Sequence, residues 1–413
     1  MQHVIIGNGP AGVVAADTLR EADPAASIIL LGDEPEPPYG RMALPYLLAG
    51  NIDEAGTHLR RDPEHYDRQG IELRTARVTA LDPERAQLAL DDGASLDYDH
   101  LLIATGARPN RPPIPGIDDP RVQTCWTLAD ARAIAALAER DSEVVLLGAG
   151  FIGCIVLQAL AERGVRLTVV ETAERMVARM LDANAGGLLQ AWCQRHGVSV
   201  RTGTSVTAIE TGGETLGVTL DDGSVLPAQL LILAAGVSPN IDFLAGSGIE
   251  TGRGILVDQC LRSSKPGIYA AGDVAEGRDF STGHRMVHAI QPVAADQGRC
   301  AALNMAVHPT PYPGGLAMNV LDTLGLVSCS FGAWDGVDGG DSAELLDRDR
   351  FRYLNLRFAE DRLVGATGLG LTQHVGALRG LIQSRHRLGP WQARLQRDPT
   401  RVMEALVGCS VQL

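Results

Sequence analysis

A chain of 413 residues exceeds what one hydrophobic core usually holds, and at about 150 residues per domain it predicts two or three domains, which excludes a small binding module. Its 45% apolar and 21% charged residues are those of an ordinary folded protein. With Lys+Arg 36 against Asp+Glu 50, a net charge of -14 and only 4% aromatic residues, both the cationic footprint and the stacking platforms of a nucleic-acid binder are missing.

Glycine is the anomaly, with 47 residues and no three-residue period, so tight backbone turns are the first feature to look for. Met1-Gln2-His3 runs straight into the apolar Val4-Ile5-Ile6 without a basic leader, and a cytoplasmic location is expected. The uncharged stretch from Val144 to Leu160 is too short and too rich in glycine for a membrane span and predicts a buried strand, turn and helix. Seven cysteines form no C-x-x-C pair and no zinc spacing, which predicts reduced thiols and no metal site.

In chain order, the first 33 residues read as a strand (His3 to Ile6), the turn GNGPAG, a helix (Pro10 to Ala22) and a strand (Ser27 to Leu31) that ends at Asp33 and Glu34. The same order returns as the strand Glu143 to Leu147, the turn GAGFIG, a helix to about Arg163, and the strand Arg166 to Val170 ending at Glu171. Each unit is followed by an apolar strand and a small-residue turn, LLIATG (101 to 106) and LLILAAG (230 to 236), which predicts a duplicated α/β architecture. The proline-rich stretch from Arg108 to Pro120 reads as a linker. GIYAAGD (267 to 273) is too short to begin a third nucleotide domain and is expected to complete the first. A helix follows from about Pro292 to Met305. Beyond it, strand-like runs (Met318 to Leu326, Phe351 to Phe358, Arg362 to Gly368) and helical ones (Val375 to Gln383, Arg401 to Val407) predict an α+β domain. The expected division is 1–115, 116–250, 251–310 and 311–413, with the first and third segments forming one domain.

G-x-G-x-x-G alone is a weak signal, and its context makes the case here. After a strand and before a helix, the first Gly allows the sharp turn, the second lets a pyrophosphate approach the backbone, and the third lets helix and strand pack closely. The phosphates meet the unpaired N–H groups at the helix start. An acid about 20 residues on accepts from a ribose hydroxyl, a place filled by Asp33 or Glu34 in the first unit and by Glu171 in the second. Two such sites imply two dinucleotides, one a flavin and one a nicotinamide, between which a hydride passes. Glu171 would repel a 2′-phosphate, which favours NAD; Arg175 four residues on leaves NADP as the weaker option.

The ordered set GNGPAG, PYGRMALPYLLAG (38 to 50), YDHLLIATGARPN (98 to 110), GAGFIG, LLILAAGVSPN and GIYAAGDV resembles the FAD-dependent pyridine nucleotide-disulfide oxidoreductase family, which includes glutathione reductase, ferredoxin reductases and NADH oxidases. PYGRMALPYLLAG, HAIQPVAADQGRCAALNM (288 to 305), NVLDTLGL (319 to 326) and VGALRGLI (375 to 382) are most similar to rubredoxin reductases and the flavin portion of NADH-dependent nitrite reductases. The resemblance implies two nested Rossmann-like domains of glutathione-reductase type plus the C-terminal α+β domain. It implies FAD held by Gly7, Gly9, Pro10, Ala11, Gly12, Asp33 or Glu34, Arg41, Val78 beside the adenine, Ala104, Thr105, Gly106, and Gly272 with Asp273 at the ribityl chain. The helix beginning at Pro292 and Val293 would aim its N-terminus at the flavin C2 carbonyl. NAD(H) falls to Gly148, Gly150, Phe151, Ile152, Gly153, Glu171 and Gly236.

The implied function is NADH oxidation through FAD to an external acceptor, a rubredoxin or ferredoxin type of carrier or a partner subunit; the resemblance also allows a homodimer. No side chain is needed as nucleophile. Disulfide reductases carry a redox cysteine pair, and the stretch Gly40 to Gly50 has no cysteine, so electrons leave by another route. Cys154, directly after the second turn, reads as a small packing residue. Many relatives pair a Glu after the second turn with a Lys beside the flavin; here Ile155 and Pro45-Tyr46 stand in those places. That departure keeps two alternatives open: a flavin-dependent dehydrogenase or oxidase of a small organic substrate, and a non-enzymatic flavin-containing sensor or assembly subunit. His284 and His288 read as surface or capping histidines, with a proton relay as the alternative. Arg379, Arg385, Arg387, Arg394, Arg397 and Arg401 read as a solvated helix face, with a docking patch for an acidic carrier as the alternative.

Overall fold

The structure, a computed structural model, describes residues 1–410 and divides into two compact units. One comprises Met1–Leu47, Ile52–Arg108 and Val237–Gly315; the other comprises Leu48–Asn51, Pro109–Gly236 and the chain from Leu316 onward.

In the first unit a five-stranded parallel sheet runs in the order Ile268–Ala270, His100–Ile103, Gln2–Ile6, Ser27–Gly32, Ile71–Thr75. Val4, Ile5, Leu30, Leu31, Leu101, Leu102 and Ile103 are all fully buried. Strands apolar on both faces need cover on both faces, which parallel sheets obtain from crossover helices. Helix Pro10–Ala22 packs against helix Gln291–Met305, and the two come close at Gly298, where an added Cβ would lie 2.2 Å from the Ala11 carbonyl oxygen. A side chain there would separate the two helices.

The second unit repeats the plan with a parallel sheet ordered Ser199–Arg201, Arg166–Val170, Glu143–Leu147, Leu230–Leu233, Val122–Thr124. The stretch Val144 to Leu160 is a strand, turn and helix, and among the described residues no helix is long and apolar enough to cross a membrane. The same unit carries a five-stranded antiparallel sheet in the order Met318–Thr323, Leu326–Gly332, Arg362–Leu369, Arg352–Ala359, Asp341–Asp347, followed by helices Val375–Ser384, Pro390–Arg397 and Val402–Ser410. The architecture is α/β with two Rossmann-like sheets and a C-terminal α+β portion.

Three elements of the C-terminal portion differ from the sequence expectation. The run Met318 to Leu326 is not one strand, because Leu324 (φ 54°) and Gly325 (φ 82°) form a two-residue reversal into the next strand. Leucine is an unusual residue for positive φ, and tertiary bonds hold it: Gln158 accepts from Leu324 N–H, and Trp192 Nε1 donates to the Leu324 carbonyl at 3.1 Å. The strand Asp341–Asp347 and the short helix Pro390–Arg397 were not expected either. Their sequences, DSAELLD and PWQARLQR, alternate too weakly to register.

At the N-terminal edge of the first sheet, His3 and His100 sit opposite each other on paired strands and stack with ring centroids 5.4 Å apart. His3 Nδ1 and His100 Nδ1 are buried with no hydrogen-bond partner among the described residues, and His3 Nε2 lies only within ion-pair distance of Asp23, at 3.8 Å. Burial, and for His3 next the neighbouring His100, lowers both imidazoles below the ordinary 6.5. The unfolded chain therefore binds protons more readily, and stability present above about pH 6.5 falls below it by up to about 1.4 kcal/mol per pH unit per histidine. Denaturant unfolding at pH 7.5 and 5.5 should show that loss, and His3→Leu should reduce it. A pH-independent midpoint over this interval contradicts the prediction.

Candidate functional site

The two glycine turns have nearly the same geometry. Gly7 (φ +107°) and Gly148 (φ +109°) make the reversal, where an added Cβ would lie 2.1 Å from Ala104 O and 2.4 Å from Ala234 O. Gly12 and Gly153 face back onto the turn, where a Cβ would lie 1.9 Å from Gly7 O and 2.1 Å from Gly148 O. Gly7 N–H donates to Leu31 O and Gly148 N–H to Val170 O, both at 2.8 Å. Only glycine fits these four places.

The middle glycines are different. Gly9 (φ −75°, ψ −172°) and Gly150 (φ −74°, ψ −171°) are the N-caps of helices Pro10–Ala22 and Phe151–Glu162, with ordinary extended backbone and nothing within 4 Å of an added Cβ. Sterics inside the chain do not demand glycine there. The open space lies in front of unpaired N–H groups and the positive end of a helix, as a bound pyrophosphate requires. Neither helix has a side-chain cap or an acidic residue in its first turn, which leaves those N–H groups to an anion. Pro10 and Ala11, and Phe151 and Ile152, form the opening residues of the two helices.

In the first unit the two candidate acids are engaged differently. Glu34 accepts from the Tyr39 hydroxyl at 2.6 Å and from Arg41 at 2.7 Å, while Asp33 is half exposed and pairs with Arg77 at 3.0 Å. Val78 is buried at the start of strand Val78–Asp82, next to Arg77. Thr105 and Gly106 are tied to Asn240: Thr105 Oγ1 donates to Asn240 O at 2.9 Å, and Asn240 N–H donates to Gly106 O at 3.0 Å. Gly272 has φ +79° and donates its N–H to Gln297 Oε1 at 2.8 Å, so helix Gln291–Met305 sets the turn that carries Asp273. Burial pushes the Asp273 carboxyl up to about 6 against the opposing pull of Arg41. A partly buried acid that resists ionising, on a turn next to Ala11 of the first glycine turn, is a candidate binding group. On that helix Pro292 is exposed at its start and Val293 is buried. Gln297 and Gly298 were not singled out from the sequence, because a glutamine and a glycine inside a helix carry no local signal of a partner on another element.

In the second unit Glu171 accepts from Ala149 N–H at 2.6 Å and Ala173 N–H at 2.8 Å, which fixes the acid against the middle of the glycine turn. Arg175 is turned away, its guanidinium donating to Leu181 O at 2.9 Å and Ala178 O at 3.3 Å. Gly236 (φ +87°) accepts at its carbonyl from Asn110 N–H at 2.9 Å.

All seven cysteines are free, and burial raises Cys154 well above the usual thiol range. A thiol held protonated is a poor nucleophile, in keeping with its reading as a packing residue. Among the described residues no group of three or more His, Cys, Asp or Glu could hold a metal ion. His284 is exposed as expected, but the reading of His288 as a surface or capping residue is corrected: it is buried, does not cap the helix, and pairs with buried Asp279 at 3.0 Å. The C-terminal arginines 379, 385, 387, 394 and 397 are exposed, whereas Arg401 pairs with Glu404 and lies over the Trp391 ring with Arg394.

Comparison with known proteins matches these features. The sequence model of the pyridine nucleotide-disulphide oxidoreductase family covers residues 1–298. Subunit epsilon of NADH-dependent phenylglyoxylate dehydrogenase from Aromatoleum evansii is 32% identical over 405 residues, spanning 97% of this chain and 96% of the relative. Rhodocoxin reductase from Rhodococcus erythropolis is 34% identical over 315 residues, 76% of this chain and 74% of the relative. Among solved structures, a putidaredoxin reductase in covalent complex with putidaredoxin superimposes with a TM-score of 0.92 at 26% identity over 99% of both chains.

Proposed function

Since this chain belongs to the pyridine nucleotide-disulphide oxidoreductase family, we propose that it takes electrons from NADH in preference to NADPH and delivers them through FAD to a separate one-electron carrier protein of ferredoxin or rubredoxin type. It is a flavoprotein oxidoreductase that uses FAD and NAD(H). When bound, FAD supplies the chemistry that accepts two electrons as hydride and releases them singly. The chain's own residues bind and orient. In this reading the first glycine turn, one of Asp33 and Glu34, Arg41, Val78, Ala104, Thr105, Gly106, Gly272, Asp273, Pro292 and Val293 hold FAD. The second turn with Glu171 and Gly236 holds NAD(H). Residues 1–115 and 251–310 then serve the flavin, 116–250 the nicotinamide, and the rest forms the C-terminal portion.

The observation that carries the NADH preference is Glu171, held by two backbone N–H groups at the strand end while Arg175 is spent on carbonyl oxygens. A 2′-phosphate would meet a carboxylate while Arg175 is held by carbonyl oxygens, a like-charge juxtaposition that costs several kcal/mol. NADH should therefore reduce the flavin at least about tenfold more efficiently than NADPH, since 1.4 kcal/mol is one decade. Equal efficiency with NADPH defeats the proposal.

Electrons leave through a protein partner because Gly40–Gly50 carries no cysteine to receive them. Relatives named as reductases of ferredoxin-type carriers support this reading, among them the ferredoxin–NAD(+) reductase component of a biphenyl dioxygenase system from Paraburkholderia xenovorans. Alkylating the accessible thiols should leave reduction of such a carrier intact; turnover abolished by alkylation overturns it. If the exposed arginines at 379–397 steer an acidic carrier, association slows as salt rises.

A second reading has its own support. The full-length likeness to a dehydrogenase subunit favours the chain serving as the NADH-reactive subunit of a larger oxidoreductase. Its size in native extract separates the two: an assembly well above 43.7 kDa and its small oligomers supports the subunit reading.

A further inference from the structure

Asp279 is a buried hub. It accepts from Ser281 N–H at 3.1 Å, from Thr282 N–H at 2.7 Å, from the Thr282 hydroxyl at 2.8 Å and from His288 Nε2 at 3.0 Å. Burial alone would raise its carboxyl, but the bonds from His288 and Thr282 outweigh burial and hold it below the usual carboxylate range. The His288 ring lies against Gly315, where an added Cβ would be 2.8 Å from Nδ1 and 2.9 Å from Cγ and Cε1. Gly315 is also bonded to the turn between the paired strands Ala275–Arg278 and Arg285–Val287, donating its N–H to Arg278 O and accepting from Phe280 N–H, both at 2.9 Å. From His288 the connection runs directly into a helix: Ile290 N–H donates to His288 O at 2.9 Å, and Ile290 O accepts the first helical bond, from Ala294 N–H at 3.0 Å. Only Ala289 and Ile290 lie between His288 and Gln291, so three residue steps, a reach of at most about 11 Å, join them.

A ring present for packing alone would be an apolar one. His288 instead leaves Nδ1 buried with no hydrogen-bond partner among the described residues, a cost that an apolar side chain would avoid. What it supplies is one N–H donor to Asp279. Through that bond, the ring's contact with Gly315 and the Ile290 N–H bond to its carbonyl, His288 links Asp279 and Gly315 to the start of helix Gln291–Met305. Helix Gln291–Met305 is the helix whose Gln297 sets the Gly272 turn and whose Gly298 packs on Ala11.

We infer that the Asp279–His288 pair is a positioning element that fixes the N-terminal end of helix Gln291–Met305 and thereby sets the reduction potential of the flavin. The inference rests on the reading that this helix end faces the flavin. A helix N-terminus favours the more negative, reduced form, and the effect falls off within one turn, so a small displacement lowers the potential.

The test is a dithionite titration of the FAD-loaded protein against a reference dye, which requires no NADH and so is independent of the nicotinamide reading. His288→Phe keeps the ring shape and removes the donor; it should shift the reduction equilibrium at least tenfold toward the oxidised form, about 30 mV for a two-electron couple. His288→Gln, which can still donate to Asp279, should return to within threefold of the parent. Gly315→Ala, whose methyl displaces the His288 ring while both partners stay chemically intact, should shift the equilibrium in the same direction as His288→Phe and serves if that variant fails to fold. A parental potential in fully loaded His288→Phe or Gly315→Ala, or a His288→Gln shifted as far as His288→Phe, overturns the inference.

Discussion

Gly9→Ala is expected to yield a colourless protein, and Gly150→Ala a yellow one that NADH does not reduce. Both positions have ordinary backbone angles and nothing within 4 Å of the added methyl, so neither substitution strains the fold. Gly→Ala at a compatible site stabilises by about 0.4–1 kcal/mol, and unfolding midpoints should be equal or higher. The methyl would occupy the space through which a pyrophosphate reaches the helix N–H groups. A hydrogen bond to a charged group contributes about 1.5–3 kcal/mol, so losing one or two weakens binding by at least about tenfold to a hundredfold. Gly12→Ala is the control: its methyl would lie 1.9 Å from the Gly7 carbonyl oxygen and should destabilise the unit with or without ligand. Full flavin content in Gly9→Ala, or parental NADH reduction in Gly150→Ala, would remove the assignment of the turns.

Asp273→Ala should act in opposite directions on the flavin-free and flavin-loaded forms. In the free protein the carboxyl is raised to about 6, so the folded state holds the proton more tightly than the unfolded one. Stability falls as pH rises from about 4 through 6 and stays low above, a penalty on the order of 2 kcal/mol at pH 7 after allowance for partial solvent exposure. Removing the carboxyl should raise the melting temperature of the flavin-free protein at pH 7 and have little effect at pH 4. It should also empty the flavin site if, as proposed, the acid accepts from a hydroxyl of the ribityl chain. FAD affinity should drop by about a hundredfold, measured by fluorescence titration. Full occupancy in the variant, or equal destabilisation at both pH values, contradicts the assigned role.

The glycine turns were legible because every requirement is local: a strand, three glycines at fixed spacing and a helix start within about a dozen residues. The buried strands Val4–Ile6 and Leu101–Ile103 were legible as continuous apolar runs for the same reason. Distant partners were not. His284 and His288 sit in similar stretches, and what buries one and not the other includes Gly315, 27 positions later. Leu324 carries no turn signal, and its reversal depends on Gln158 and Trp192, far back in the chain. Asp33 and Glu34 are adjacent and equivalent in sequence, and only the bonds from Tyr39, Arg41 and Arg77 tell their surroundings apart. Gln297 joins the candidate site through a single bond to Gly272, 25 residues away.

Anaerobic stopped-flow mixing of the FAD-loaded protein with NADH tests the central claim most directly. Bleaching of the flavin band on a turnover timescale, faster with NADH than with NADPH, is the predicted result. A flavin that dithionite bleaches but NADH leaves yellow would contradict the account and turn attention to a small organic substrate as the electron source.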